Sequence, residues 1–293
     1  MSNRDEVRAF LQSRRARITP EQAGVEVFGG HRRVAGLRRE EVARLAGVSV
    51  DYYNRLERGN LGGASQPVLQ AVARALQLDQ AEIDHLFNLA RAANSSARQP
   101  RRRAPESVRP ALQYMLDVIV DAPALIRNYR MDMVAANTLG WALHSEMLDE
   151  PSGVVNHTRF IFLDPRARSF YQDWTLHADT NVALLRRDSA RAPGDRGLDS
   201  LVEEMSARSD EFRERWSSHD VRRHYSGVKQ YHHPAVGDLD LTYQSLEFEE
   251  DPGLVLTILP AVPGSASAER LRLLASWAAT EHIDRRARAS SST

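Results

Sequence analysis

The run Leu37–Gly59, LRREEVARLAGVSVDYYNRLERG, holds two short apolar-periodic segments around a Gly-Val-Ser step. Its spacing predicts a helix over Arg39–Ala46 with Val42, Leu45 and Ala46 inward, closed by Gly47 in the left-handed conformation of a C-terminal cap. Ser49 stands where an N-cap accepts from the next turn of backbone, so a second helix follows with Val50, Tyr53 and Leu56 inward, and Gly59 stops it. Ala43 is small enough for the second helix to cross close above it. Val42, Val48 and Leu56 supply the apolar cluster that fixes the crossing angle. In this arrangement the second helix is free to enter a major groove with its N-terminal side chains foremost, while the first crosses the phosphate backbone.

Outward from this pair, the pattern stays helical on both sides. Val7, Phe10, Leu11 and Ile18 share one face upstream. Downstream, Ser65 with Pro67 in the first turn opens a helix through Val68, Leu69, Val72, Ala73 and Leu76. Asp79 with Glu82 three residues on makes a capping-box start for a fifth helix, through Ile83, Leu86, Phe87 and Ala90. Residues 1–94 are therefore expected to form one small all-α domain of five helices.

Charge separates this domain from the rest. The chain of 293 residues is neutral, with 39 basic and 39 acidic side chains. Yet residues 1–103 hold 18 basic and 11 acidic ones, against 21 and 28 in residues 104–293. The N-terminal third is the part drawn to a polyanion. Arginine supplies every basic residue except Lys229. Charged residues at 27% and apolar ones at 42% place the chain in the soluble globular class rather than the disordered one. With no cysteine, disulfides, thiol nucleophiles and thiolate zinc sites are excluded. No signal peptide and no membrane-spanning run is evident, so a cytoplasmic protein is expected.

Residues 95–110, SSARQPRRRAPESVRP, are polar, proline-punctuated and carry the run Arg101–Arg103; they read as a linker. Beyond it the patterns mix. Leu112, Met115, Leu116 and Ile119 predict a helix ending before Pro123. Ala124–Ala136 reads as a hairpin turning near Arg130–Asp132, followed by a helix from Asn137 to about Leu148, and two or three helices lie between Asp164 and His219. Three strands are expected over Arg222–His233, Asp238–Glu249 and Leu254–Val262. In the middle one Leu239, Leu241 and Tyr243 alternate with polar residues, and the phase slips near Ser245–Leu246, as at a bulge. A helix over Ala268–Thr280 follows, then a flexible Arg/Ser tail over 281–293. Residues 111–280 are thus expected to form an α+β domain: an antiparallel sheet with helices over one face.

The run GLRREEVARLAGVSVDYYNRLERG, with VLQAVARALQLDQAEIDHLFNLA after it, resembles the Cro/CI (XRE-type) helix-turn-helix family, and within it the MmyB-like regulators. HDVRRHYSGVKQYHHPAVGDLDLTY and PGSASAERLRLLASWA resemble the PAS-like ligand-binding domain of the same regulators, so the resemblance spans nearly the whole chain. It implies a lambda-repressor-like DNA-binding domain ahead of a ligand-sensing one, and a dimer on a near-palindromic operator. Val50, Asp51 and Arg55, behind the cap Ser49, stand where such recognition helices meet base edges. An arginine there pairs in bidentate fashion with guanine, and Asp51 either accepts from cytosine or orients Arg55. Arg38 and Arg39 suit phosphates at a helix N-terminus, as do Tyr52 and Arg58; Arg32 and Arg33 reach the flanking backbone. Arg39 occupies a position where the wider family often has a DNA-touching glutamine.

For the second domain the resemblance implies a small hydrophobic effector, acyl-chain-like. Trp141, Phe160, Phe162, Tyr171, Trp174, Tyr231 and Tyr243 are the candidate lining residues, each also able to serve as plain core. His219, His224, His232 and His233 cluster in sequence, but His232 and His233 point to opposite faces of a strand, so no metal site is expected. The carboxylates Glu247, Glu249, Glu250 and Asp251 before Pro252–Gly253 read as a solvated turn. No nucleophile elbow, phosphate-cradling loop, flavin or haem attachment is evident, so no cofactor and no enzymatic activity are expected. Two alternatives stay open: a C-terminal domain that docks on protein and has no pocket, and a DNA-tethered enzyme.

Overall fold

The computed structural model describes residues 3–25, 34, 36–94, 107–148, 154–192, 195–218 and 226–290, with the course of the chain alone over 281–290. Arg32, Arg33, the run Arg101–Arg103, His219 and His224 lie outside the described residues. The chain divides into two compact units: Met1–Arg102 with Arg186–Ser200 and Glu214–Arg223, and Arg103–Leu185 with Leu201–Arg213 and His224–Thr293.

The first unit contains five helices in its N-terminal portion: α1 (Asn3–Arg17), α2 (Arg39–Leu45), α3 (Val50–Glu57), α4 (Gln66–Ala75) and α5 (Gln80–Asn94). Val7, Phe10 and Leu11 of α1 are fully buried against Val42, Tyr53 and Leu56. The start of α5 is a reciprocal cap: Asp79 Oδ1 accepts from the Glu82 N–H at 2.9 Å, and Glu82 Oε2 accepts from the Asp79 N–H at 3.0 Å. Two expected core positions lie outside. Leu45 is 40% and Val50 43% exposed. At 100° per residue the buried stripe of α2 is centred between Val42, Ala43 and Ala46, which leaves Leu45 at its edge. Val50 is the first residue of α3, where no preceding turn of helix covers it.

Gly47 makes the bend between α2 and α3 with φ of +64°, and a Cβ there would meet no atom within 4 Å. Only conformational strain opposes a side chain at this position. Gly47→Ala is expected to cost about 1 kcal/mol and to leave DNA affinity of the folded protein unchanged, as read by urea unfolding beside a binding titration. At Gly59, φ of +93° is joined by a close approach: a Cβ would lie 2.4 Å from the Arg4 carbonyl oxygen. The exit of α3 therefore rests directly on the backbone of α1.

The second unit begins with α6 (Pro110–Asp117) and is built on one antiparallel sheet: β1 (Ala124–Asn128), β2 (Met133–Ala136), β3 (Ser226–His233), β4 (Gly237–Glu247) and β5 (Leu254–Ile258), in the order β2-β1-β5-β4-β3. Between β2 and β3 run α7 (Thr138–Leu143), α8 (His157–Leu163), α9 (Ala167–Phe170), α10 (Trp174–Arg191), α11 (Arg196–Arg208) and α12 (Asp210–Ser217), and α13 (Ala266–Ser290) follows β5. This is the α+β, PAS-like arrangement expected, with more helices between Asp164 and His219 than the two or three read from sequence.

Two further expectations are corrected. Helices do not cover one face alone. Leu125, Leu239, Leu241 and Tyr243 face α7, α8, α9 and α13, while Ile126, Leu254 and Leu256 on the opposite face bury Leu112 and Leu116 of α6. The continuous apolar strand β5 needs cover on both sides, and α6 supplies the second. Nor does β4 bulge at Ser245–Leu246. It pairs with β3 through Gln244, then continues in regular register against β5 from Gln244↔Ile258 to Glu247↔Val255. The change of partner, with Leu246 left 49% exposed, is what breaks the alternation in sequence.

Candidate nucleic-acid interface and ligand cavity

Ser49 caps α3 through its Oγ, which accepts from the Tyr52 N–H at 3.1 Å. Tyr53, Leu56 and Glu57 face the core, so helical geometry turns Asp51, Arg55 and Arg58 to the surface; these three and Val50, at the N-terminal end, are exposed. No hydrogen bond joins Asp51 and Arg55. The Arg55 guanidinium instead lies over the Tyr52 ring, 4.6 Å from its centroid, and Tyr52 itself is half-buried against the core. A planar cation stacked on an aromatic ring keeps its fork of N–H donors in one orientation.

Arg38 precedes α2 with its side chain half-exposed and 3.4 Å from Glu40; its own N–H donates to Glu41 Oε2 at 2.6 Å. Arg39 is held differently. Its Nε donates to Oε1 of Glu57 at 3.0 Å, and the same carboxylate takes Nε and one terminal nitrogen of Arg15, each at 3.0 Å. Glu57 is 1% exposed. Burial alone would raise its pKa, but the hydrogen bonds and charges of Arg15 and Arg39 outweigh it and hold the carboxyl below its ordinary value. One buried anion thus ties α1 and α2 to the last turn of α3 and sets how the surface of α3 is presented.

In the second unit a cavity of about 80 Å³ lies between the sheet and the helices. Leu125 and Arg127 of β1, Ser245 and Thr257 form its floor, with Lys229 and Tyr231 of β3; His144, His157 and Tyr171 stand on the helical side, and His177 and Asn181 come from α10. Val228 and Leu176, both at the wall, are 56% and 44% exposed, so the cavity reaches the surface there. Burial pushes His144 and His177 down to about 4 and His157 well below its ordinary value. All three rings are neutral at pH 7.

Of the seven aromatics expected at the pocket, Tyr171 and Tyr231 line this cavity. Phe160 meets Phe170 and Tyr171 edge-on in the core. Phe162 packs between Trp174 and Phe212, and Trp174 donates to the Ile161 carbonyl at 2.9 Å. Trp141 is half-buried against the same core, and Tyr243 lies beneath the Lys229 ammonium. The histidines, Arg127 and Lys229 at the wall were not anticipated. One signal was available for Lys229. The lone lysine of the chain stands two residues before Tyr231, in phase with the inward row of its strand.

Residues 108–274, more than half of the chain, match the family model described as the MmyB-like transcription regulator ligand binding domain. The chain belongs to this family. Residues 6–86 match the model of a helix-turn-helix domain, so the protein is a DNA-binding transcription regulator with a ligand-binding domain. No curated protein matches the chain.

In the regulator, His232 is exposed and bonded to Asp238 at 2.6 Å, whereas His233 is buried and bonded to the Ala142 carbonyl at 3.0 Å. Among the described residues no group of three or more His, Asp or Glu is placed to hold a metal. The acidic turn between β4 and β5 takes an ion pair: Arg109, at the start of α6, reaches Asp251 at 2.8 Å and Glu250 at 3.1 Å. Among the described residues no helix is long and apolar enough to cross a membrane.

Proposed function

We propose that this regulator binds a near-palindromic operator as a homodimer and that a small molecule in the cavity of its second unit sets the DNA affinity. Residues 1–94 carry the DNA contacts and residues 111–280 the sensing, within the cytoplasm. One observation carries the reading: a single chain combines an exposed, arginine-bearing α3 behind a capped turn with a cavity between sheet and helices inside a domain of a ligand-binding family. A lone helix-turn-helix reads too few base pairs for operator specificity, and a two-fold pair of them doubles the site. Ligand control needs only a differential affinity for two arrangements of the dimer. The DNA-tethered enzyme is the less favoured reading, since the family matched over residues 108–274 is a ligand-binding one.

Selection of bound sequences from a random duplex pool tests this. An inverted repeat with half-sites about one helical turn apart is expected, and enrichment of a single unrepeated half-site would overturn the dimer. On the selected operator, Arg38→Ala is expected to weaken all sequences alike and to lower the slope of log affinity against log salt by about one. An unchanged slope removes Arg38 from the phosphate contacts.

A further inference from the structure

The charge of the cavity wall is one-sided. Lys229 and Arg127 both line it, and none of its lining residues is Asp or Glu. Lys229 sits on β3 in the inward row with Tyr231 and His233, opposite Leu241, where a half-buried strand calls for an apolar side chain. Its ammonium has an aromatic neighbour, the Tyr243 ring at 5.1 Å from the centroid, but no carboxylate partner among the described residues. Burial, then the nearby Arg127 charge, pull its pKa down to about 8, which still leaves it largely charged at pH 7. A cation kept at an inward position without a counter-ion is a cost that a bound anion removes.

A second polar atom at the same wall is open. Nδ1 of His177 lies 2.9 Å from the Asp173 carbonyl oxygen, which only accepts, so Nδ1 carries the proton of the neutral ring. Nε2 is then a lone pair, and it is buried without a hydrogen-bond partner. It calls for a donor, which a carboxylate does not offer and a hydroxyl does. The ring is held by stacking on Tyr171 at 4.2 Å. The remaining wall is mixed, with Met131, Ile161 and Leu259 among the apolar residues, and a volume of about 80 Å³ suits a compact molecule rather than a long chain.

We propose that the cavity takes a short hydroxylated carboxylic acid, its carboxylate on the Lys229 ammonium beside Arg127 and its hydroxyl donating to Nε2 of His177. The proposal rests on the reading of this unit as a small-molecule sensor and names the chemistry that it senses. The complementarity is charge-assisted at one end and a neutral hydrogen bond at the other. The apolar part of the wall, Met131, Ile161 and Leu259, favours an organic monoanion over inorganic phosphate.

Calorimetric titration of the full chain with 3-hydroxybutyrate, butyrate, 3-hydroxybutyramide and inorganic phosphate tests it. The hydroxy acid is expected to bind most tightly, with the amide and phosphate at least about tenfold weaker. Lys229→Met should lose at least about tenfold for the acids without a lower melting temperature, and Lys229→Arg should recover part of the loss. His177→Phe, which keeps the stack on Tyr171, should erase the preference of 3-hydroxybutyrate over butyrate. An amide that binds like the acid, full affinity in Lys229→Met, or no binding of any acid at about 10 mM overturns the proposal. The acid–amide comparison needs no variant, so it stands if a substitution fails to fold. A bound acid that leaves DNA affinity unchanged would sink the sensor reading and spare this one; a neutral ligand that fills the cavity and shifts DNA affinity would do the reverse.

Discussion

Glu57→Gln is expected to destabilise the DNA-binding unit by about 3 kcal/mol, the lower end of the range for removing one partner from a buried ion pair. The lower end applies because Arg39 is half-exposed and its guanidinium recovers water, whereas Arg15, at 15% exposure, does not. Glutamine keeps the volume and one acceptor but leaves two guanidinium groups around a neutral amide. Chemical unfolding of the full chain, followed through the N-terminal transition, measures the effect. The pH dependence supplies the sign. A carboxyl held below its ordinary value of 4.5 in the folded protein contributes stability that is complete above that value and disappears as pH falls through the folded pKa. The difference between the parent protein and Glu57→Gln should therefore be constant near neutrality and shrink on acidification below about 4.5. A difference that grows on acidification would mean that Glu57 is not the anion of this cluster.

Arg55→Ala is expected to lose about 1–3 kcal/mol of discrimination at one operator position, the worth of a bidentate arginine–guanine pair. The geometry behind this is the exposed guanidinium of the last turn of α3 stacked back over Tyr52, on a helix whose opposite side is buried. Measured against a set of single-base variants of the operator, the substitution should flatten preference at one position in each half-site and leave the others intact. Arg38→Ala, by contrast, should lower every affinity together. Unchanged relative affinities across the base variants would remove Arg55 from direct readout and leave it a phosphate contact.

The two units differ in how far residues alone disclose them. The helix-turn-helix is local: Gly47, the Ser49 cap and the Asp79–Glu82 box each act within one turn of chain, and their spacing is the structure. The Glu57 cluster is not, because Arg15, Arg39 and Glu57 come from three helices and no periodicity joins them. In the second unit the strands are legible from alternation, but β1 meets β5 across more than a hundred residues, and nothing in either strand names its partner. The cavity was the least legible. Large aromatics such as Phe160, Phe162 and Trp174 are what a cavity-lining guess favours, yet they fill the core because burying them contributes most. The wall is made instead by polar residues that ordinary core reasoning passes over: histidines on helices, and one lysine at an inward strand position.

The most direct test of regulation through the cavity is the affinity of the full-length protein for its selected operator, measured by fluorescence anisotropy at fixed salt with and without a saturating cavity ligand. Allosteric coupling of ordinary size predicts a change of at least about fivefold in either direction. Equal operator affinities with the cavity shown to be occupied would contradict it.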